Sequence, residues 1–420
     1  MTDTDKDRAA GASQFPAVLP DSFGEPEGVE ATAAEASHDP TAEWTGKRAG
    51  MGLALSGGGF RATLFGLGSL WRLNELGLLL KMTRITSVSG GSLAAGVLAA
   101  HWKDLNFSAD GRATNFEQVV VARLREFCRR TLDWKVALLG LVPFLSAARL
   151  ASKSYARHLT RMGDGRGATL ADLPAKGLGP DFVFYATCMQ TGSSFRFSRE
   201  GLYDWKLGYV PKVDVPLATA MAASAGFPPV LAPLKLKTDP TMWRGEKAVS
   251  GLKDPDAIRR SLILSDGGVY DNMGIEALWK TMQWVLVSDA GAPFEFTRSS
   301  WANWFGQLGR VRDVLIQQTR ALRKRMLMAD FTATPAPRYG GAYWGIGTQI
   351  KAYSLNTCLC SDSTLTAALP LVSTRLRRLD PQTQERLINW GYALTDAAIR
   401  THVDPSAAMG TLPYPATTMR

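Results

Sequence analysis

The chain has 420 residues, of which 45% are hydrophobic and 20% are charged, and its formal net charge is +10. A globular protein of this length buries one large core or two modest ones. No window approaches eighteen uncharged apolar residues, so we expect no transmembrane helix. The N-terminus lacks the basic and apolar segments of a signal peptide. The chain has four cysteines, Cys128, Cys188, Cys358 and Cys360. They are too few for a disulfide framework and too scattered for a zinc site, which predicts reduced thiols in a cytosolic protein.

Charge is unevenly distributed along the chain. Residues 1–45 carry ten acidic side chains but only Lys6 and Arg8 as basic ones, so this part has a formal charge of −8 and the remainder +18. The acidic part has few large apolar residues to bury, so residues 1–47 are predicted to be disordered. The basic remainder indicates attraction to a polyanion, either a membrane with acidic lipids or nucleic acid.

Strand-like and helix-like patterns alternate in the first part of the basic body. A short apolar run at 52–55 predicts a strand, and the segment 61–79 has apolar residues along one side of a helix. The same pair of patterns follows at 84–87 and 92–102. This order predicts an α/β fold with a mostly parallel sheet and helices on both faces. Two later apolar runs predict further strands, at 182–187 and 284–288.

Two glycine-rich turns bracket the first predicted helix. The first turn, Ser56-Gly57-Gly58-Gly59, leaves backbone N–H groups unpaired at the start of the helix, where they can hold an anionic oxygen. The second turn, Ser87-Val88-Ser89-Gly90-Gly91, places small residues around Ser89, as a sharp strand-to-helix elbow requires. Such an elbow projects a hydroxyl from its apex, so Ser89 is the candidate nucleophile.

A nucleophilic serine needs a base, and the sequence favours an aspartate over a histidine. Asp266 ends an apolar run and is followed by two glycines, which predicts a carboxylate at a strand end, where catalytic groups of α/β proteins lie. Asp289 also ends an apolar run but lacks the two glycines, so a helix cap or turn is expected there. None of the histidines lies in a glycine-flanked turn: His38, His101, His158 and His402.

The glycine turn followed by Arg61, the serine elbow and Asp266-Gly267-Gly268 occur in this order, and together they resemble the patatin-like phospholipases. Three further stretches resemble bacterial members of that family, at 222–229, 271–274 and 389–392. The resemblance covers roughly residues 48–400 and implies a three-layer α/β/α sandwich. It implies a catalytic dyad without histidine, metal or other cofactor, in which Ser89 is the nucleophile, Asp266 is its base and the oxyanion loop is Gly57, Gly58 and Gly59.

The activity that the resemblance implies is hydrolysis of carboxylic esters in glycerophospholipids or lysophospholipids through an acyl-enzyme. The implied partners are the lipid substrate and an anionic membrane surface, with no nucleic acid. The protein is expected in the cytoplasm or peripherally at the membrane. Arg61 is expected either to contact a lipid phosphate or to stabilise the glycine loop.

Two residues depart from the family pattern. The elbow usually begins with glycine, but Ser87 stands there, and the glycine motif ends in Ala62 where the family has glycine. Both changes bear on the geometry of the elbow and on the approach of the helix, not on a reacting group. Ser87 and Ser92 are also rival nucleophiles, but Ser89 fits the frame of the motif better than either.

Two other functions are compatible with parts of the sequence. Residues 57–62 fit the G-x-G-x-x-G/A fingerprint of dinucleotide-binding proteins. That fingerprint also needs an acidic residue at the end of the next strand, and 84–87 has none. A catalytically silent membrane-binding or scaffold protein is the other alternative. Loss of ester hydrolysis in Ser89→Ala would separate an enzyme from a scaffold, and binding of ATP or NAD would indicate the nucleotide-binding class.

Three segments lie outside the predicted sheet. A helical insert at about 120–165 contains a basic-flanked apolar run, Trp134–Leu145, which predicts a helix over the sheet, a lid or a surface-inserting segment. Residues 401–420 are expected to form a C-terminal tail. A predicted helix at about 310–328 either has a solvated face or binds lipid head groups through its cations, Arg312, Arg320, Arg323, Lys324 and Arg325.

Overall fold

The computed structural model describes residues 48–132, 147–228, 231–245, 252–294, 296 and 304–420. The acidic segment 1–47, with His38, and the apolar run Trp134–Leu145 lie outside these residues. Ten strands of the described residues form one sheet. They are β1 (Met51–Leu55), β2 (Met82–Val88), β3 (Asp181–Cys188), β4 (Ser193–Ser198), β5 (Gly201–Asp204), β6 (Gly208–Pro211), β7 (Leu234–Lys237), β8 (Ser261–Asp266), β9 (Trp284–Asp289) and β10 (Gly340–Gly345).

α-Helices connect and flank these strands in the described part of the chain, in addition to several 3-10 helical turns and a π-helical turn at Glu117–Val121. They are α1 (Gly59–Glu75), α2 (Gly90–Ala100), α3 (Ala122–Cys128), α4 (Ala147–His158), α5 (Leu217–Ser224), α6 (Pro255–Arg260), α7 (Gly268–Asp271), α8 (Glu276–Trp279), α9 (Trp304–Phe331), α10 (Thr364–Ala368) and α11 (Pro381–His402). The helix predicted at about 310–328 therefore lies within the longer α9.

The centre of the sheet is parallel. In the order β10-β9-β1-β2-β3, each strand pairs with its neighbour in parallel. The mostly parallel central sheet predicted from the sequence is therefore confirmed. Beyond β3 the chain forms an antiparallel meander, β4-β5-β6, and β8 pairs antiparallel with both β3 and β7.

Two strands share one edge of β3. Strand β2 pairs with the first part of β3, up to Val88 opposite Tyr185, and β8 pairs with the last part, where Asp266 lies opposite Ala186. Since Tyr185 and Ala186 are consecutive, the carboxyl ends of β2 and β8 meet head to head. This arrangement brings Ser89, the residue after Val88, close to Asp266 although the two are far apart in the chain.

Helices cover both faces of the sheet. In β1, Leu53 and Leu55 belong to the large core cluster that includes α1, α2 and α11, whereas Ala54 belongs to a second cluster with Leu278 of α8 and Leu327 of α9. Because alternate side chains of a strand point to opposite faces of the sheet, the two clusters lie on the two faces. The predicted three-layer α/β/α sandwich is therefore confirmed.

Helix α1 ends earlier than the sequence pattern predicts. Its last residue is Glu75, because Gly77 adopts φ 64° and the Leu78 N–H donates back to the Leu73 carbonyl oxygen. A left-handed glycine of this kind is a common helix terminator. The apolar pattern continues to Leu79, which is buried beyond the turn, and this is why periodicity alone extends the helix too far.

The residues after α11 pack on the domain. The Asn389 amide and the Tyr414 backbone exchange two hydrogen bonds, at 2.8 and 3.0 Å, and Met419 is buried. The segment 401–420, expected to be a tail, therefore contributes to the folded body. Among the described residues, no helix combines the length and the apolar character needed to cross a membrane.

Candidate active site

Ser89 lies at the elbow between β2 and α2. Its backbone angles are φ 51° and ψ −120°, and a positive φ is strained for a residue with a side chain. Two contacts hold this conformation. The Ser89 N–H donates to Ser224 Oγ at 3.0 Å, and Gly90 packs so tightly on Gly59 that a Cβ atom on Gly90 would collide with the Gly59 carbonyl oxygen. The half-buried Ser89 side chain therefore stands at the apex of a nucleophile elbow.

The rival serines, Ser87 and Ser92, form a buried chain of hydroxyl groups. Ser92 Oγ donates to Ser87 Oγ at 2.9 Å, and Ser87 Oγ donates to the Val183 carbonyl oxygen at 3.5 Å. Ser92 Oγ also lies 2.8 Å from Ser224 Oγ. Because the single Ser92 proton is used toward Ser87, Ser224 is the donor in that pair. Ser87 is not among the residues with positive φ, so its position in β2 does not require glycine.

Asp266 ends β8 and its side chain is buried, with 1% exposure. Oδ1 accepts a hydrogen bond from the Gly268 N–H at 2.7 Å, whereas Oδ2 has no hydrogen-bond partner among the described residues. Burial raises the pKa of Asp266 to about 7, and the Gly268 N–H and the Ser89 hydroxyl oppose this rise only in part. A carboxylate with a free oxygen and a pKa near neutrality is suited to act as a general base.

The Ser89 hydroxyl lies close enough to Asp266 to lower the pKa of its carboxyl group, but it does not form a hydrogen bond of normal geometry to Oδ2. Catalytic hydrogen bonds are often long in unliganded enzymes and tighten when the substrate binds. The two side chains therefore have the relative placement of a nucleophile and its base before substrate binds.

The N-terminus of α1 lies against the elbow. Gly58 (φ 142°) and Gly59 (φ 57°) have backbone conformations that other residues rarely adopt. The Gly57 N–H donates to the Asn272 carbonyl oxygen at 2.9 Å, while the N–H groups of Gly58 and Gly59 have no backbone acceptor in the described part of the chain. A Cβ atom on Gly57 would lie 3.1 Å from Ser89 Cβ. Gly58 and Gly59 are therefore better suited than Gly57 to donate to an oxyanion on the Ser89 side.

The glycine turn leaves little room for the pyrophosphate of a dinucleotide. Gly59 packs on the carbonyl groups of Thr374 and Arg375, and a Cβ atom on Gly59 would collide with the first of these. Carbonyl oxygens carry partial negative charge and repel a phosphate group. The contacts around Gly59 therefore do not favour the nucleotide-binding alternative.

Arg61 is a buried structural cation. Its side chain is 1% exposed, and its guanidinium group donates to three carbonyl oxygens: Ala290 at 3.2 and 2.8 Å, Pro370 at 2.7 Å and Val372 at 2.8 Å. Burial is the largest cause that lowers the pKa of Arg61 to about 10. Of the two expected roles, a structural one fits these contacts better, because a buried guanidinium group bound to carbonyl oxygens is not presented to a lipid phosphate. Its link to the glycine loop is indirect, since the Ala290 N–H donates to Ser56 Oγ at 2.7 Å.

Asp289, the rival acid, forms a structural ion pair. Its Oδ2 accepts from Arg320 at 2.8 Å and from the Tyr343 hydroxyl at 2.8 Å, and its Oδ1 accepts from the Gly291 N–H at 2.9 Å. Burial acts to raise the pKa of Asp289, but Arg320 and these hydrogen bonds outweigh it, so the pKa is lowered. Both carboxylate oxygens of Asp289 thus accept hydrogen bonds, whereas Asp266 Oδ2 has no partner among the described residues.

The other groups that bear chemistry have separate partners. No three His, Cys, Asp or Glu side chains of the described residues are grouped as a metal site, and the four cysteines are free. The three histidines of the described chain have partners other than Ser89 and Asp266: His101 hydrogen-bonds Asp104, His158 contacts Arg130 and His402 packs on the Tyr353 ring.

The fold brings to the site three residues for which the sequence predicts no role. Ser224 accepts from the Ser89 N–H, and Asn272 accepts from the Gly57 N–H through its carbonyl oxygen. Both lie in stretches that resemble the family, which was the only signal for them. The Tyr155 hydroxyl is buried without a partner among the described residues, and burial and then the charge of Asp266 raise its pKa. No sequence pattern distinguishes Tyr155.

Comparison with known proteins gives a family match and distant structural similarities. The sequence model of the patatin-like phospholipase family matches residues 53–279. No curated protein matches the chain. The structure of human GIVD cytosolic phospholipase A2 has 12% identity and a TM-score of 0.49, and the match covers 87% of this chain and 63% of that one. VipD from Legionella pneumophila has 16% identity and a TM-score of 0.35, over 84% of this chain and 67% of that one.

A further structure of the human protein, in complex with methyl gamma-linolenyl fluorophosphonate, has 13% identity and a TM-score of 0.47, over 87% of this chain and 61% of that one. This chain thus spans less than two thirds of the human chain to which it is similar. The family match, in contrast, covers more than half of this chain and includes the elbow of Ser89 and the end of β8. The chain therefore belongs to the patatin-like phospholipase family.

Proposed function

We propose that this protein is a lipid acyl hydrolase of the phospholipase A or lysophospholipase type, with Ser89 and Asp266 as its catalytic dyad. Family membership supports hydrolysis of lipid esters in general. The observation that carries the specific proposal is the meeting of a strained serine with a buried carboxyl group whose Oδ2 has no partner in the described chain. A free carboxylate oxygen beside a serine hydroxyl is what proton transfer from that hydroxyl requires.

In the proposed mechanism, Asp266 Oδ2 takes the proton of Ser89 Oγ as this oxygen attacks the ester carbonyl carbon. The N–H groups of Gly58 and Gly59 donate to the oxyanion of the tetrahedral intermediate. When the intermediate collapses, the bond to the leaving alcohol breaks, and Asp266 returns the proton to that oxygen. A water molecule then gives a proton to Asp266 as its oxygen attacks the acyl carbon. The bond between this carbon and Ser89 Oγ breaks, Asp266 returns the proton to Ser89 Oγ, and the fatty acid leaves.

The test is release of fatty acids from a mixed lipid extract, identified by mass spectrometry together with the residual head groups. Ser89→Ala and Asp266→Asn are each expected to lower ester hydrolysis by about a thousandfold or more, and the double variant is hardly worse, because the two groups act as a unit. Ser194→Ala is the matched control. Its hydroxyl is buried and has no partner in the described chain, so its removal leaves hydrolysis intact.

Three outcomes would contradict this proposal. Near-normal hydrolysis by a folded Ser89→Ala protein would remove Ser89 as the nucleophile. A wild-type protein that is folded but releases no fatty acid and does not react with a fluorophosphonate would indicate the silent scaffold. Replacement of His101 or His158 is expected to affect stability at most, and a loss as deep as that of Asp266→Asn would indicate a histidine-based triad.

A further inference from the structure

Helix α9 exposes a row of apolar side chains. Six of its large apolar side chains are exposed, namely Leu308 (58%), Val311 (53%), Val314 (37%), Leu315 (60%), Leu322 (50%) and Met326 (51%). Five of them, all except Val314, follow one another at spacings of three, four, seven and four residues. Such spacings place side chains on the same side of a helix. We call Leu308, Val311, Leu315, Leu322 and Met326 the apolar stripe. Exposed single apolar residues are normal, but several of them on one side of a helix indicate an interaction surface.

The opposite side of α9 is anchored to the body. Leu327 is fully buried in the second core cluster. Arg320 pairs with Asp289 at 2.8 Å, and Arg323 lies 3.7 Å from Asp271. Two of the arginines that the sequence predicted on a solvated or head-group-binding face are therefore used inside the protein. Because these ion pairs fix the rotation of the helix, they also keep the apolar stripe on the outside.

A neighbour of the stripe in α9 contacts a loop that is hydrogen-bonded to Asp266. Arg312, one residue after Val311, has its guanidinium group 5.1 Å from the centre of the Phe227 ring and donates to the Pro228 carbonyl oxygen at 3.2 Å. The adjacent Gly226 carbonyl oxygen accepts the N–H of Asp266 at 2.9 Å. Phe227 is itself 40% exposed. The loop that contacts α9 beside the stripe is therefore hydrogen-bonded to the backbone of Asp266.

Charge favours a lipid bilayer as the occupant. Apart from the ion-paired Arg320 and Arg323, residues 304–331 contain four basic and two acidic side chains, and the whole chain has a net charge of +10. A second copy of the same helix fits less well, because the row next to the stripe carries Gln318 and Arg325 where a helical dimer needs apolar residues. An amphipathic helix with a basic border lies in the interface of an anionic membrane, with its apolar residues in the acyl boundary.

We infer that the apolar stripe of α9 is the docking surface for a lipid bilayer with anionic head groups, which presents the substrate to the Ser89 site. This inference rests on the proposed lipid hydrolase function for its biological meaning, but the binding it describes does not require turnover.

The test is co-sedimentation of the full chain with vesicles of phosphatidylcholine, with and without phosphatidylglycerol, in the Ser89→Ala background so that the lipids stay intact. The stripe variant is L308Q/L315Q/L322Q, in which glutamine preserves helix propensity. Its vesicle partition is expected to fall by about tenfold or more. The control variant is L178Q/M189Q/M242Q, which removes three exposed apolar side chains outside α9 (73%, 53% and 45% exposed) and is expected to bind like its parent.

The remaining outcomes separate this inference from the proposed function. The stripe would not be the docking surface if the stripe variant bound vesicles as well as its parent. The same conclusion would follow if the control variant lost as much vesicle binding as the stripe variant. Light scattering that finds a dimer in the parent and a monomer in the stripe variant would assign the stripe to a second copy and also overturn it. With Ser89 intact, the stripe variant is expected to hydrolyse a soluble short-chain ester normally, which excludes misfolding. A protein that binds vesicles through the stripe but hydrolyses no ester would refute the enzymatic proposal alone.

Discussion

Asp266→Asn is expected to remove activity and yet to stabilise the folded protein at neutral pH. The reason is the raised pKa of this buried carboxyl group, about 7 in the folded state against an ordinary value of 3.8. Between about pH 4 and pH 7, the folded protein holds a proton that the unfolded chain has released. The stability of the wild type therefore falls as pH rises through this window and stays reduced above it.

The size of the effect follows from the same pKa values. At about 1.4 kcal/mol per pH unit, the rise from 3.8 to about 7 makes the ionised carboxylate cost about 4 kcal/mol above pH 7. Asparagine does not titrate, so the free energy of unfolding of the variant lacks this pH dependence. The buried NH₂ group at the unpartnered Oδ2 position lowers the stability of the variant by about 1–3 kcal/mol at every pH. At pH 8 the variant avoids the larger cost of the ionised carboxylate, so it is expected to be more stable than the wild type by about 1–3 kcal/mol.

The assay is urea unfolding of wild type and Asp266→Asn at pH 5 and pH 8. The free energy of unfolding of the variant, relative to that of the wild type, is expected to be higher at pH 8 than at pH 5. This change does not depend on the cost of the amide, because that cost is the same at both pH values. Asp289→Asn is the control, because the pKa of Asp289 is lowered by Arg320 and removal of this partner leaves a buried cation unpaired. It is expected to destabilise at neutral pH. Parallel stability profiles of wild type and Asp266→Asn would refute the assignment of a raised pKa to Asp266.

Two further predictions concern the pH dependence of catalysis and the buried arginine. For a soluble ester, kcat/KM is expected to rise with pH up to about 7 and then level off, because Asp266 must be ionised to act as a base. A kcat/KM that already levels off near pH 4 would contradict this prediction. Arg61→Lys is expected to lower stability by about 2–4 kcal/mol in urea unfolding, since a lysine cannot reach all three carbonyl groups that Arg61 binds. A normal stability with a raised KM only for phospholipid would instead make Arg61 a phosphate ligand.

The local motifs of the site were predictable from the sequence. Glycine spacing and the ends of apolar runs are short-range signals, and they indicate an elbow at Ser89 and a carboxylate at the end of a strand at Asp266. The alternation of strand and helix patterns similarly predicts the parallel centre of the sheet. The sequence does not show that β8 runs antiparallel beside β3, because an apolar run looks the same in either direction.

Features that depend on residues far apart in the chain could not be predicted from the sequence. The three carbonyl groups around Arg61 come from residues 290, 370 and 372, so no local pattern separates loop stabilisation from phosphate binding. Similarly, six basic residues within α9 indicate a basic helix but not its rotation. The structure uses Arg320 and Arg323 in internal ion pairs and turns an apolar row outward. The identity of the exposed face is decided by the acidic residues of β9 and α7.

The pairing of strands also explains why one strand-end aspartate has a raised pKa and the other a lowered one. Asp289 ends a parallel strand next to α9, where Arg320 reaches it and stabilises its ionised form. Asp266 ends a strand that meets β2 head to head, and no arginine or lysine is among the groups that affect its pKa. Without a cation the carboxylate remains costly to ionise. The same isolation that lowers stability at neutral pH gives Asp266 a pKa that matches that pH, which is the property that the proposed dyad without histidine needs.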